Sequence, residues 1–300
     1  MALQGAVQFS LGPLAPWRLH KPGLHPKTAR HPQLDQTPYM TAQDAPYTVR
    51  LAQNARDLRA AQRLRYRVFV TELGASGPMV DHENQLECDE FDPVFDHLLL
   101  IDPAGDPDDL ADVVGVYRLL PSDRLAQAGR YYSETEYDLT PLKSSGRRLL
   151  ELGRSCVHQD HRGGAAMVLL WNALADYVLE RRIEVMFGMA SFHGTDAQAL
   201  AQPLSYLYHH HLAPADLRVQ ARAAQRQEMG LIAADKVDRR AAMAGTPALI
   251  KAYLRLGGFV GDGAWIDRAF NTTDVCLLMD TENMSVKHRA YYLRKQARDA

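Results

Sequence analysis

At 300 residues the chain is long for one domain and short for three, so one elaborated domain or two small ones are the options. Hydrophobic residues make up 46% and charged ones 23%, enough apolar material for a core, and 34 Lys and Arg against 36 Asp and Glu set up no global field of the kind that nucleic acid selects. Cys88, Cys156 and Cys276 lack CxxC spacing, which excludes a disulfide framework or a cysteine zinc site and points to reduced thiols in a cytoplasmic protein, and no run approaches the ~18 consecutive apolar residues of a membrane span.

Residues 1–46 hold no long apolar core of signal-peptide type and are interrupted by six prolines from Pro13 to Pro38, so they read as an unfolded extension. Met40, ahead of "TAQDAPYTVRLA", is a second plausible start. The organised chain opens at "YTVRLA", which alternates as a half-buried strand does. Asn54 then predicts a cap for a helix over "NARDLRAAQRLRYRVFVTEL", in which Leu58, Ala61, Leu64, Val68 and Phe69 fall near helical spacing. Arg65 and Phe69, at i and i+4, share a face of that helix, and an arginine snorkelling over a core phenylalanine accounts for the spacing equally well.

Glu87, Asp89, Glu90 and Asp92 form an acidic cluster, a pattern that usually marks a solvated loop. "FDHLLLID" and "DVVGVYRLLP" read as two strands around the acidic turn "PAGDPDD", residues 121–148 are turn-rich, and "RRLLELGRSCV" is a fourth strand. Glu151 and Arg154 lie three apart on it and face opposite sides of a regular strand. They can line one site only across a bulge, for which Gly153 is the natural position. Otherwise Glu151 is a rim carboxylate paired with Arg147 or Arg148.

"GGAAMVLLWNALADYVLERR" is a helix opening at Gly163 and Gly164, and "IEVMFGMASF" is a fifth strand after it, one βαβ crossover in an α/β pattern. Free backbone N–H groups at that helix start, with Arg162 beside them, suit a phosphate, although a plain helix start has the same look. Residues 196–212 and 213–256 are expected to be mostly helical, an insertion over 196–256 ahead of the closing strands in "GGFVGDGAWIDRAFNTTDVCLLMD". Within it, Arg218, Arg222 and Arg226 form a stripe that is either a solvated face or a dock for an acidic carrier protein. His209 to His211 read as a helix end rather than a metal site, and Cys156 with His158 as a core thiol rather than a nucleophile.

The turn "VHQDHRGGAA" in this order of strands resembles the acyl-donor turn of the GNAT acyltransferase superfamily. More narrowly, "LRYRVF", "LECDEFD", "GVYRLLP" and "ELGRSCV", in that order, resemble the acyl-homoserine-lactone synthases and their relatives, the ornithine N-acyltransferases of bacterial lipid synthesis. The resemblance runs from Tyr47 to Asp280. Beyond residue 200 it is to the ornithine branch, through "YLRLG" and the pattern that ends in "DVCLLMD", and the tryptophan that lactone synthases carry after the first helix is absent from "ELGASG".

The resemblance implies a GNAT-like α/β domain over 47–280, a mixed central sheet flanked by helices. It implies transfer of a 3-hydroxyacyl chain from acyl carrier protein to the α-amine of L-ornithine, with no metal and no permanently bound cofactor. Val157, Gln159, Arg162, Gly163, Gly164 and Ala165 would hold the donor's phosphopantetheine. Asp89 and Asp92 would hold the acceptor ammonium, Arg65, Arg118 and Arg154 its carboxylate beside Phe69, and Glu151, or else Asp89, would be the general base. The fourth strand would splay to lend a backbone N–H to the oxyanion. Lactone synthesis, acetyl-CoA-dependent acetylation and a silent membrane-surface module are the alternatives. Residues 281–300 form a basic tail with Lys287, Arg289, Arg294, Lys295 and Arg298 around Tyr291 and Tyr292, suited to weak contact with an anionic membrane surface by a cytoplasmic, peripheral enzyme.

Overall fold

The computed structural model describes residues 47–162 and 165–282. The readings made for residues 1–46, for Gly163 and Gly164, and for the tail from 283 onward lie outside the described residues.

In chain order, β1 (Thr48–Leu51) leads to α1 (Ala55–Arg65), capped as expected by Asn54, whose side-chain oxygen accepts the Asp57 N–H at 2.9 Å. The helix continues as a wider π-helical turn over Tyr66–Glu72. A small hairpin of β2 (Val80–Asp81) and β3 (Leu86–Glu87) precedes β4 (Asp96–Ile101) and β5 (Val113–Pro121). The turn-rich stretch carries α2 (Leu125–Ala128), β6 (Tyr137–Asp138) and α3 (Thr140–Ser144). Then come β7 (Leu149–Val157), α4 (Ala165–Glu180), β8 (Val185–His193) and α5 (Ala201–His211). Two short strands, β9 (Gln220–Ala221) and β10 (Arg226–Gln227), are followed by α6 (Arg239–Gly245) and α7 (Ala248–Arg255). The last strands are β11 (Phe259–Val260), β12 (Ala264–Asp267) and β13 (Thr272–Asp280).

One mixed sheet runs in the order β1-β4-β5-β7-β8-β13-β12-β10, with β11 also paired to β13. Its pairs are antiparallel except β7 with β8, which the α4 crossover makes parallel. Alternation along β4 shows how the helices cover it. Leu98 and Leu100 face the core shared with Leu170 and Leu174 of α4, while Leu99 faces Ala60, Ala61 and Leu64 of α1. The central strands are apolar on both sides and read as near-continuous hydrophobic runs for that reason.

The segment over 213–238 corrects the expectation of a mostly helical insertion. Its composition favours helix, yet its chain is extended: β9 pairs with β6, and β10 joins the main sheet against β12. Tertiary partners override propensity here. The Ala221 N–H donates to Asp262 O and the Arg222 N–H to Glu136 O. The arginine stripe is undone with it, because no helix carries these residues. Arg218 donates to Ala213 O, Arg222 to Glu134 O, and Arg226 pairs with Asp262 and Glu228. α-Helix in the insertion is confined to α5, α6 and α7, with short 3₁₀ turns at Ala223–Gln225 and Ala234–Lys236.

Candidate active site

The site begins where β7 and β8 part. Their parallel pairing covers Leu149–Leu152 against Val185–Gly188 and stops there. Beyond it β7 stays with β5 and β8 with β13. The last contact needs glycine, since a Cβ on Gly188 would stand 2.1 Å from Leu152 O. One step further the β5 register jumps between Val116 and Arg118, so that Arg154 and Ser155 oppose Tyr117 alone. The bulge therefore falls just after Gly153, at Arg154, whose φ is +49°. It restores the parity that a regular strand denies: Glu151 and Arg154 line the same cavity, which opens between the parted strands with a volume of about 700 Å³.

The acidic cluster is no solvated loop. Arg65, wholly buried, donates from Nε to Glu87 Oε2 at 2.5 Å and from Nη1 and Nη2 to the two oxygens of Asp92 at 2.7 Å. Arg118 donates to Asp89 at 2.6 Å and Asp92 at 2.9 Å, and Arg154 to Glu87 at 2.9 Å. Glu90, beside Arg130, is the exposed member of the cluster, and Asp89 is only partly covered. The arginines hold the Asp92 carboxyl below the usual carboxylate range against the burial that pushes it up. Arg65 and Asp92 are thus partners of one another, and Asp89 is matched to Arg118 and Arg154. Phe69 does line the cavity, edge-on to Phe270. Arg118 and Arg154 line it too, stacked against Phe95 at 4.6 Å and against Tyr132 at 4.7 Å, and Arg118 Nε has no partner.

Glu151 is not a rim carboxylate. Arg147 pairs with Asp280 and Arg148 with Glu184, while Glu151 is 1% exposed. Its Oε1 accepts from the Ser133 N–H and hydroxyl at 2.6 Å, and its Oε2 from the Tyr132 N–H at 2.9 Å. Burial pushes its carboxyl up, and those donors pull the other way.

On the donor side Val157 and Arg162 line the cavity, Gln159 sits in a short turn ahead of α4, and Ala165 opens that helix. Arg162 is not a free cation there: its Nη2 meets Glu72 at 2.5 Å and its Nε the Val157 carbonyl. Burial pushes the Cys156 thiol far up, out of nucleophile range. His209 to His211 end α5, with His209 bonded to the Ile232 carbonyl.

One group of cavity residues escaped the reading of the sequence. Glu136, Asp267 and Asp274 bring one carboxylate oxygen each within 4.8 Å of one another, so together they can hold a cation. All three line the cavity, and none is in an ion pair among the described residues. Glu136 lies in the turn-rich stretch 121–148, where no periodic pattern marks it. Asp274 was visible in principle, since an aspartate inside the apolar run "TTDVCLLMD" must be buried with a purpose.

Known proteins place this geometry in context. A family profile described as an acetyltransferase (GNAT) domain matches residues 64–172. The chain is 65% identical over 256 residues to an L-ornithine N(alpha)-acyltransferase of Rhodobacter capsulatus, spanning 85% of this chain and 98% of that relative. It is 42% identical over 246 residues to an L-ornithine N(alpha)-acyltransferase of Brucella abortus, spanning 81% and 88%. Among solved structures, an N-acyl amino acid synthase from uncultured soil microbes is similar at a TM-score of 0.44 and 11% identity, over 79% of this chain and 92% of that one.

Proposed function

Because the chain belongs to the L-ornithine N(alpha)-acyltransferase family, with a GNAT-like fold, we propose that it moves a 3-hydroxyacyl chain from acyl carrier protein to the α-amine of L-ornithine. The thioester C–S bond breaks and an amide C–N bond forms. The ammonium gives up two protons, one to reach the attacking amine and one as the amide is made, and the carrier leaves as its thiol. The product is a lyso-ornithine lipid.

The observation that carries the acyl-transfer reading is the parting of β7 from β8 over a cavity of about 700 Å³, apolar at Met186, Ile250, Tyr253 and Met279 and charged at Arg154 and Glu151. A thioester laid between the strands would find backbone N–H groups of β7 that no neighbouring strand claims, the natural partners of an oxyanion. Glu151 is the proposed base, acting through the Ser133 hydroxyl or a water. Arg154, with Arg118 Nε beside it, is proposed for the acceptor carboxylate, and Val157, Gln159, Arg162, Gly163, Gly164 and Ala165 for the donor arm.

The test is purified protein with 3-hydroxyacyl carrier protein and L-ornithine, followed by free-thiol release and mass spectrometry of the product. Thiol release that depends on ornithine and an Nα-acyl product are expected. Turnover with acetyl-CoA and none with acyl carrier protein would overturn the donor assignment.

A further inference from the structure

Glu136, Asp267 and Asp274 reach the cavity from three different elements: the end of a 3₁₀ turn, the end of β12 and the first half of β13. Their positions are fixed. Asp267 Oδ1 accepts the N–H groups of Ala269 and Phe270 at 2.8 and 3.0 Å, the Glu136 carbonyl accepts from Arg222, and Asp274 faces Ser191 across the β13–β8 ladder. What they lack, among the described residues, is an ion-pair partner; Arg154 is the cation that pulls the Glu136 and Asp274 carboxyls down from outside ion-pair range. Glu136 and Asp274 are 4% and 5% exposed, and Glu136 Oε2 and Asp274 Oδ1 have no hydrogen-bond partner among the described residues. A buried carboxylate oxygen without a donor is costly, so an opening onto a cavity is where a ligand donor belongs. Burial and mutual repulsion push the Glu136 carboxyl well up and that of Asp274 to about 6, as expected of acids waiting for a cation.

We infer that this carboxylate triad is the specificity pocket of the acceptor and binds the δ-ammonium of ornithine. The inference rests on the ornithine reading above and adds what distinguishes ornithine from other amino acids. An ammonium carries three N–H donors on a compact charge, which matches three converging oxygens. A hard divalent cation asks for six or more oxygens, and Asp267 Oδ1 is already shared with two amides. Held as an ammonium among carboxylates, the δ-nitrogen keeps its proton and cannot attack the thioester. The α-amine, at the Glu151 side of the same cavity, is left to react.

The experiment compares L-ornithine with L-norvaline, which keeps the carbon chain and lacks the terminal amine, as acceptors for 3-hydroxyacyl carrier protein. The wild type should favour ornithine in kcat/KM. Glu136→Gln and Asp274→Asn should each lower the ornithine-to-norvaline ratio by about 10- to 100-fold, chiefly through the KM for ornithine. The wild-type comparison, extended to Nδ-acetyl-ornithine, stands even if a variant fails to fold. A wild type that takes all three acceptors alike overturns the inference and leaves ornithine acylation intact, as does an equal loss on both acceptors in the variants. Saturable binding of Ca²⁺ or Mn²⁺ to the wild type, abolished by Glu136→Gln, would make the triad a metal site and overturn it too. A wild type that acylates no acceptor overturns the ornithine reading together with the inference.

Discussion

At the scale of single residues, the two kinds of carboxylate in the cavity differ in what surrounds them, and that difference sets two predictions. Glu151 is buried but fully bonded, by Tyr132 and Ser133. Glu151→Gln keeps the shape and removes the basicity. The chemical step should slow by about 100-fold in single-turnover kinetics, and the acidic limb of the pH–rate profile should disappear, which loosening of the 132–133 turn alone would not cause. A near wild-type rate at pH 7 would put the base elsewhere. Burial, with a smaller contribution from Asp267, raises the Asp274 carboxyl, while the Ser191 and Thr272 hydroxyls and Arg154 pull it down. Its folded value of about 6 lies above the ~3.9 of an unfolded aspartate. The folded state thus binds more protons between about pH 4 and 6, and stability falls as pH rises through that window, by up to about 3 kcal/mol. Asp274→Asn removes this loss, so urea melts should find the acceptor-free variant more stable than wild type at pH 7.5 and level with it near pH 4. A variant that is less stable at pH 7.5 contradicts this.

At the scale of elements, the parting of β7 and β8 depends on a close approach followed by a bulge. Leu152 O and Gly188 are pressed together at the last pair, and Arg154 takes a left-handed conformation immediately after it. Gly188→Ala forces the backbones apart where they must touch before they separate. It should cost about 3 kcal/mol by denaturant unfolding, at the upper end of overpacking penalties. A cost under about 0.5 kcal/mol would mean that the strands part without this contact. The buried network of Arg65, Arg118, Arg154, Glu87, Asp89 and Asp92 braces the scaffold, and its Arg118 and Arg154 also line the cavity. It ties α1, β3, β5 and β7 together beside the cavity, and an unmatched charge there would cost several kcal/mol.

At the scale of the whole molecule, the proposed product is a single-chain amphiphile, whose release into water costs ~0.8 kcal/mol for each exposed CH₂. Working at a bilayer surface avoids that cost. No helix of the described residues is long and apolar enough to cross a membrane. The basic tail beyond Glu282 is the proposed contact, at about 1 kcal/mol for each Lys or Arg near an anionic leaflet. Cosedimentation with anionic liposomes should be weak, should fall with salt, and should drop on deletion of residues 285–300. Binding indifferent to that deletion would place the contact elsewhere on the molecule.

Sequence alone determined the order of the elements, because periodicity, capping and turn chemistry are local: the Asn54 cap, the strands β4, β5, β7 and β8, and the α4 crossover are all written within a few residues of themselves. It also carried the family resemblance, through short motifs in a fixed order, and it exposed the parity problem at Glu151 and Arg154 that only a bulge resolves. Tertiary structure decided which charges are spent and which are free. Arg65 and Asp92 look unrelated until each is found to be the other's partner, and 213–238 looks helical until β9 and β10 find their strands. Glu136, Asp267 and Asp274 are ordinary acids until the sheet brings them to one side of one cavity. Pairing, burial and convergence are long-range facts, settled by where the sheet carries each residue, and no local pattern encodes them.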